Sequence, residues 1–135
     1  MNETILLYHI SDTSRLKRLK NIGASLKIRV RLVKREEYFM SIFQLLGDRK
    51  MEPSQNYQGE EISGEMLVMA VKRERLDLLL NALKKEGISI PYKAVVTPDN
   101  GWWNSLQLYQ ALQREHKAMH ESAAANDQNS FQSGL

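Results

Sequence analysis

The sequence predicts an α/β fold: a four-stranded, mainly parallel sheet built from two strand–helix–strand–helix units. Three observations carry this reading. Continuous apolar runs at Thr4–Ile10 and Met66–Val71 have strand length and no alternation, the pattern of strands covered on both faces. Each run is followed by leucines at helical spacing: Leu16, Leu19 and Leu26 in the first unit, Leu76, Leu79, Leu80 and Leu83 in the second. A further strand-like stretch and a further helical pattern then close each unit. A ferredoxin-like α+β sheet is the alternative. It keeps the same central strands but runs the second and fourth antiparallel to them.

After the first strand, Ser11-Asp12-Thr13-Ser14 supplies side-chain oxygens for the unpaired amides of a helix start. Lys27 to Lys34 alternates, with Ile28, Val30 and Leu32 expected in the core and Arg29 and Arg31 in water, as on an edge strand. Glu36 to Leu46 returns to helical spacing and places Phe39, Ile42, Phe43 and Leu46 on one face. Residues 48–64 are polar and without period, with Pro53, Gly59 and Gly64, and read as a flexible connector. In the second unit Gly87 ends a helix over Arg73–Glu86, and Tyr92 to Thr97 is a strand stopped by Pro98. A last helix opens near Trp102 and Trp103. Residues 122–135 offer little to bury and read as a disordered tail. The expected organisation is thus one domain over 1–121, made of pseudo-repeats at 4–47 and 65–120. Leu16 and Leu19 fall opposite Leu76 and Leu79, and Phe39 and Ile42 opposite Trp103 and Leu106.

At 135 residues, with 42% hydrophobic and 26% charged, the chain is compositionally an ordinary globular domain. With no cysteine it cannot build a disulfide framework or a thiolate metal site, which fits a reducing, cytoplasmic setting. The start lacks the pattern of a signal peptide, and no apolar run reaches the ~20 residues of a membrane span. The net charge of +3 is uneven. Residues 1–35 carry nine Lys/Arg against two acids, a balance of +7, and the remainder ten against fourteen, a balance of −4. Arg15, Arg18, Arg29 and Arg31 could therefore contact phosphates, although a solvated face explains them more simply.

One stretch carries a signature. Lys93-Ala94-Val95, Thr97-Pro98-Asp99-Asn100, Trp103 and Glu115-His116 resemble a small bacterial family catalogued only as a domain of unknown function. The resemblance covers roughly 66–119 and implies a shared fold, with no activity to carry over. The signature residues are Lys93, Thr97, Pro98, Asn100 and Trp103. Backbone needs account for much of it: Pro98 stops the strand, Asp99 or Asn100 caps the last helix, and Asn100 or Gly101 takes a positive φ. Trp103 is then expected as a core anchor.

The candidate ligand-binding residues are Thr97 and Asn100 at the end of one strand, with His9, Ser11 and Asp12 at the end of another, where open α/β sheets hold ligands. No Gly-x-Ser-x-Gly elbow accompanies His9, Ser11 and Asp12, so capping and packing explain them better than a triad. His116 and His120 have metal-sharing spacing but lack a His-Glu-x-x-His pattern, and no metal or cofactor is expected. The expectation is a cytoplasmic module that binds a protein or small-molecule partner without catalysis of its own. A small-molecule enzyme at the strand ends and a weak, sequence-independent nucleic-acid binder are the alternatives. An exposed apolar patch at Phe39, Phe43 or Trp102 would favour the protein partner.

Overall fold

The structure is a computed structural model that describes residues 2–47 and 52–133, with side chains up to His120. The elements run β1 (Thr4–Tyr8), α1 (Thr13–Leu26), β2 (Arg29–Leu32), α2 (Ile42–Leu46), β3 (Met66–Ala70), α3 (Arg73–Lys85), β4 (Tyr92–Val95) and α4 (Ser105–Ser133). Short 3-10 turns at Arg35–Glu37 and Asn100–Trp102 precede α2 and α4.

The chain forms a mixed α/β structure around one four-stranded sheet in the order β2-β1-β3-β4. The two apolar runs are its central strands, and β1 and β3 are buried along nearly their whole length. The direction of the strands differs from the expected one. β1 is parallel to β2, and β3 to β4, but the central pair β1–β3 is antiparallel. The sheet is therefore mixed, not mainly parallel. It is not ferredoxin-like either, because each outer strand runs with its central neighbour. The reason is physical. A crossover helix fixes strand direction only inside its own strand–helix–strand unit, and the long link after α2, in which residues 52–64 form no helix or strand, leaves the direction of β3 to packing.

Both faces of the sheet are covered. On one, Ile5, Leu7, Leu67 and Met69 meet Leu19 and Ile22 of α1 and Leu79 and Leu83 of α3. On the other, Leu6, Tyr8, Met66, Val68 and Ala94 meet Ile42, Leu45 and Leu46 of α2 and Leu108 and Tyr109 of α4. Each such aliphatic side chain taken out of water contributes about 1.5–3 kcal/mol, which is why these runs hold the centre.

The two halves also grip each other through arginines. Arg15 in the first turn of α1 pairs with Glu65, the residue before β3, at 2.6 Å. Arg75 in the first turn of α3 pairs with Glu3, the residue before β1. Arg75 also donates to the Leu26 carbonyl at the end of α1, and Arg18 of α1 donates to the Glu86 carbonyl beyond α3 at 2.7 Å. Each helix thus satisfies orphan carbonyls of the other.

Residues 52–64 form no helix or strand, yet they lie against the fold. Ile62 is buried, Tyr57 packs on Tyr38 and Phe39, and the Tyr109 hydroxyl accepts the Gly64 amide at 2.9 Å. Residues 48–51 of the expected connector lie outside the described residues. Helix α4 runs on to Ser133, through most of the segment read as a tail; the side chains of 121–133 and residues 134–135 lie outside the described ones. Among the described residues, no helix is long and apolar enough to cross a membrane.

Candidate partner-binding site

After β4 the chain makes two linked hydrogen-bonded boxes. In the first, Asn100 Oδ1 accepts the Thr97 amide at 2.8 Å and Thr97 Oγ1 accepts the Asn100 amide at 3.1 Å. Asn100 Nδ2 also donates to the Val95 carbonyl, so both ends of this side chain hold the turn. In the second, Asn104 Oδ1 and Gln107 Oε1 exchange bonds with each other's amides. Asn104, rather than Asp99 or Asn100, therefore sits where α4 begins. The expected positive φ at Asn100 or Gly101 is also absent; among the described residues it occurs at His9, Lys27 and Gly87. Gly101 is required for a different reason. A Cβ there would stand 2.2 Å from the Phe43 ring.

This start of α4 overturns the expected role of Trp103. The 3-10 turn and the extended backbone at Trp103 delay the helix to Ser105, and it is Ser105, Leu108 and Tyr109 that face the core. Trp103 is 39% exposed and Trp102 73%. Trp102 packs edge-on against Phe43, with ring centres 5.0 Å apart. The Trp103 backbone is nevertheless structural, because its carbonyl accepts the Ile42 amide at 2.8 Å.

The first half closes its turn at the two corresponding places. At the first, a single bond does so, Glu37 Oε1 accepting the Lys34 amide at 3.0 Å. At the second, Ser41 and Gln44 form a box. Ser41 and Asn104 face each other in an isolated antiparallel bridge. The helix expected over Glu36–Leu46 is accordingly broken into a 3-10 turn and a five-residue helix, which leaves Phe39 42% exposed against Tyr57.

The strand directions decide the expected strand-end crevice. Tyr8 lies across from Met66, which lies across from Tyr92, whereas Val95 pairs with Met69 near the start of β1. His9, Ser11 and Asp12 thus lie at one end of the sheet, and Thr97 and Asn100 at the other; they share no cleft. At the first end, Asp12 caps α1 by accepting the Ser14 and Arg15 amides. His9, at φ 61°, places Nδ1 3.4 Å from Glu61 in a cleft of about 320 Å³ that Ser11 and Tyr38 also line. Glu61 comes from the connector and had no signal in the sequence.

At the second end, Thr97, Asn100 and Trp103 line a cleft of about 470 Å³ with Ala94, Leu108 and Glu115. Lys93 borders it too, but its ammonium donates to the Ile90 carbonyl at 3.2 Å. Asp99 and Glu115 were not among the expected site residues, because charges on a turn and a helix surface look solvated in sequence.

The basic residues have structural work. Arg29 donates to the Leu46 and Gly47 carbonyls at the end of α2. Arg31 donates to the Leu45 carbonyl at 2.8 Å and to Glu37 at 2.6 Å. Their side of the strand, expected to face water, lies under α2. The bond to Glu65 holds the Arg15 pKa above its ordinary value, and burial raises the Tyr8 and Tyr38 phenols. The His116 and His120 rings meet edge-on with centres 4.9 Å apart, and no group of three metal-ligating side chains occurs among the described residues.

Residues 65–119 match the family described as Domain of unknown function (DUF3783). No curated protein and no solved structure matches the chain.

Proposed function

We propose that the protein is a cytoplasmic binding module that docks a polypeptide partner through the turn at Asn100–Trp103 and contributes no catalysis of its own. The observation that carries this is Trp102, 73% exposed on a turn that is fixed by its own hydrogen bonds and backed by Phe43. A tryptophan left in water on a rigid support forgoes burial it could have had, and such residues are enriched as anchors at protein interfaces. The signature residues Thr97, Pro98 and Asn100 shape this turn, and we read their role as presenting Trp102 and Trp103. The alternatives fit less well. Arg15, Arg18, Arg29 and Arg31 are engaged within the chain, and the titratable residues named at the strand ends are divided between two separate clefts.

A photo-crosslinking amino acid placed at Trp102 in the living cell tests this, with Leu78, an exposed leucine on α3, as the control position. A discrete protein adduct from position 102, absent from position 78, is the expected result. Identical adduct patterns from both positions, or none from either, would rule the reading out.

A further inference from the structure

The two halves correspond residue by residue beyond their central strands. The turns closed by side-chain-to-amide bonds begin at Lys34 and Thr97 and again at Ser41 and Asn104, the same distance apart in both cases, and β2 and β4 stand in the same place beside their central strands. Ser41 facing Asn104, and Leu6 facing Val68 at the middle of the seam, both place equivalent residues opposite each other, as a two-fold axis would. By this correspondence Arg31 matches Ala94, Glu37 matches Asn100, and Leu45 matches Leu108. The equivalence expected from sequence for the final helices, Phe39 with Trp103, is one residue out; Phe39 matches Trp102 and Met40 matches Trp103.

The space beside α2 in the first half is filled by the Arg31 guanidinium, bound to the Leu45 carbonyl and the Glu37 carboxylate. In the second half the arginine and its carboxylate are both gone. Ala94 and Asn100 stand there, and the space is the cleft of about 470 Å³.

We propose that this cleft receives an arginine side chain from the polypeptide partner. The proposal rests on the docking reading above and specifies the chemistry of what docks. Asn100 does not replace Glu37, because it carries no charge and both ends of its amide already hold the turn. The Leu108 carbonyl also differs from that of Leu45, because α4 continues past it and uses it within the helix. Asp99 and Glu115 line the cleft and supply the negative charge instead, two carboxylates against the one Lys93 ammonium that the Ile90 carbonyl holds, and the partly exposed Trp103 ring lines the same cleft, an aromatic partner for a planar guanidinium. Lysine fits less well, since an ammonium cannot make the stacked, forked contact. An entering guanidinium therefore meets charge, an aromatic face and an apolar floor of Ala94 and Leu108 for its methylenes.

The test is a titration of the full chain with N-acetyl-arginine amide, followed at the indole N–H resonance of Trp103 as assigned with Trp103→Phe. The citrulline analogue, equal in shape but uncharged, is the control. Saturable binding of the arginine compound, about tenfold tighter than citrulline, is expected from one charged, stacked contact. Ala94→Arg should abolish it by filling the cleft from within. Should that variant fail to fold, Asp99→Asn with Glu115→Gln alters only surface charge and should weaken binding several-fold. Equal responses to arginine and citrulline, no saturation, or full binding by the Asp99/Glu115 variant would overturn the proposal. The adduct from position 102 reports on docking separately, so it can persist when this titration fails.

Discussion

The first half of the molecule satisfies itself, and the second half does not. In the first, Arg29 and Arg31 reach under α2 and bind its terminal carbonyls, and Met40 is buried beside the Ser41 box. In the second, Ala94 fills none of the equivalent space, and Trp103 stands outside in the place of Met40. The supporting frame is meanwhile shared: two turns closed by side-chain-to-amide bonds, a crossover helix and a central strand on each side. Two halves on a like frame can therefore spend it differently, one closing its arginines on itself and the other leaving a cleft and exposed rings. The family match falls on that second half.

The largest effects should fall on the shared frame. Leu19 and Leu79 are equivalent and fully buried. Truncating either to alanine should cost about 2–5 kcal/mol in urea melts. If one costs several times the other, the halves do not share the core equally and the correspondence fails at its centre.

The sharpest contrast lies at Met40 and Trp103. Met40→Ala should cost about 2–5 kcal/mol as a core truncation, while Trp103→Ala, at a half-exposed position, should cost less than about 1.5 kcal/mol. The expectation from sequence alone was the reverse for Trp103. Unfolding of Trp103→Ala would restore its role as a core anchor and remove the wall of the cleft.

Gly101→Ala comes next. The methyl would strike the Phe43 ring, and the ring must shift away from Trp102 to make room. Overpacking of this kind costs about 1–3 kcal/mol. Unchanged stability together with lost adduct formation from position 102 would show that the ring yields freely and that Phe43 serves to support the tryptophan.

Alkaline pH probes the first half selectively. Burial raises the Tyr8 phenol most, with the 2.7 Å bond to Ser105 partly opposing, and burial raises Tyr38 as well. A raised pKa means the folded state keeps its proton where the unfolded chain has lost it. This contribution is therefore fully present below the unfolded value near ~10 and is lost as pH rises from there toward the folded value. Urea melts should show little change of stability from these groups between pH 7 and 9 and a decline above pH ~10, with Tyr8→Phe flattening the decline. A decline of equal slope in Tyr8→Phe would assign it elsewhere.

The smallest effect is expected at the end of the chain. Residues 122–135 are polar and unpatterned, so deleting them should leave the thermal midpoint within about 1–2 °C. A larger drop would mean that α4 needs these residues to hold Leu108 and Tyr109 against the sheet.

What the sequence by itself determined is what depends on neighbours along the chain. Unalternating apolar runs placed β1 and β3 at the centre, alternation marked β2 as an edge strand, and Gly87, with φ 68°, ends α3 where its lack of a side chain predicts. Of the turn after β4 the sequence gives away only the place, where Pro98 follows the strand; the bonds between Thr97 and Asn100 were not read from it, and the cap and the positive φ expected there fall at other residues. What only the tertiary structure decided depends on residues far apart. The antiparallel seam follows from how the halves pack, because no local pattern orients β3 across so long a link. That one choice separates His9 from Asn100 by the length of the sheet. The exposure of Trp103 was hidden for a related reason. Helical periodicity has no meaning until the helix start is fixed, and the start at Ser105 is set by Asn104 facing Ser41 from the other half of the chain.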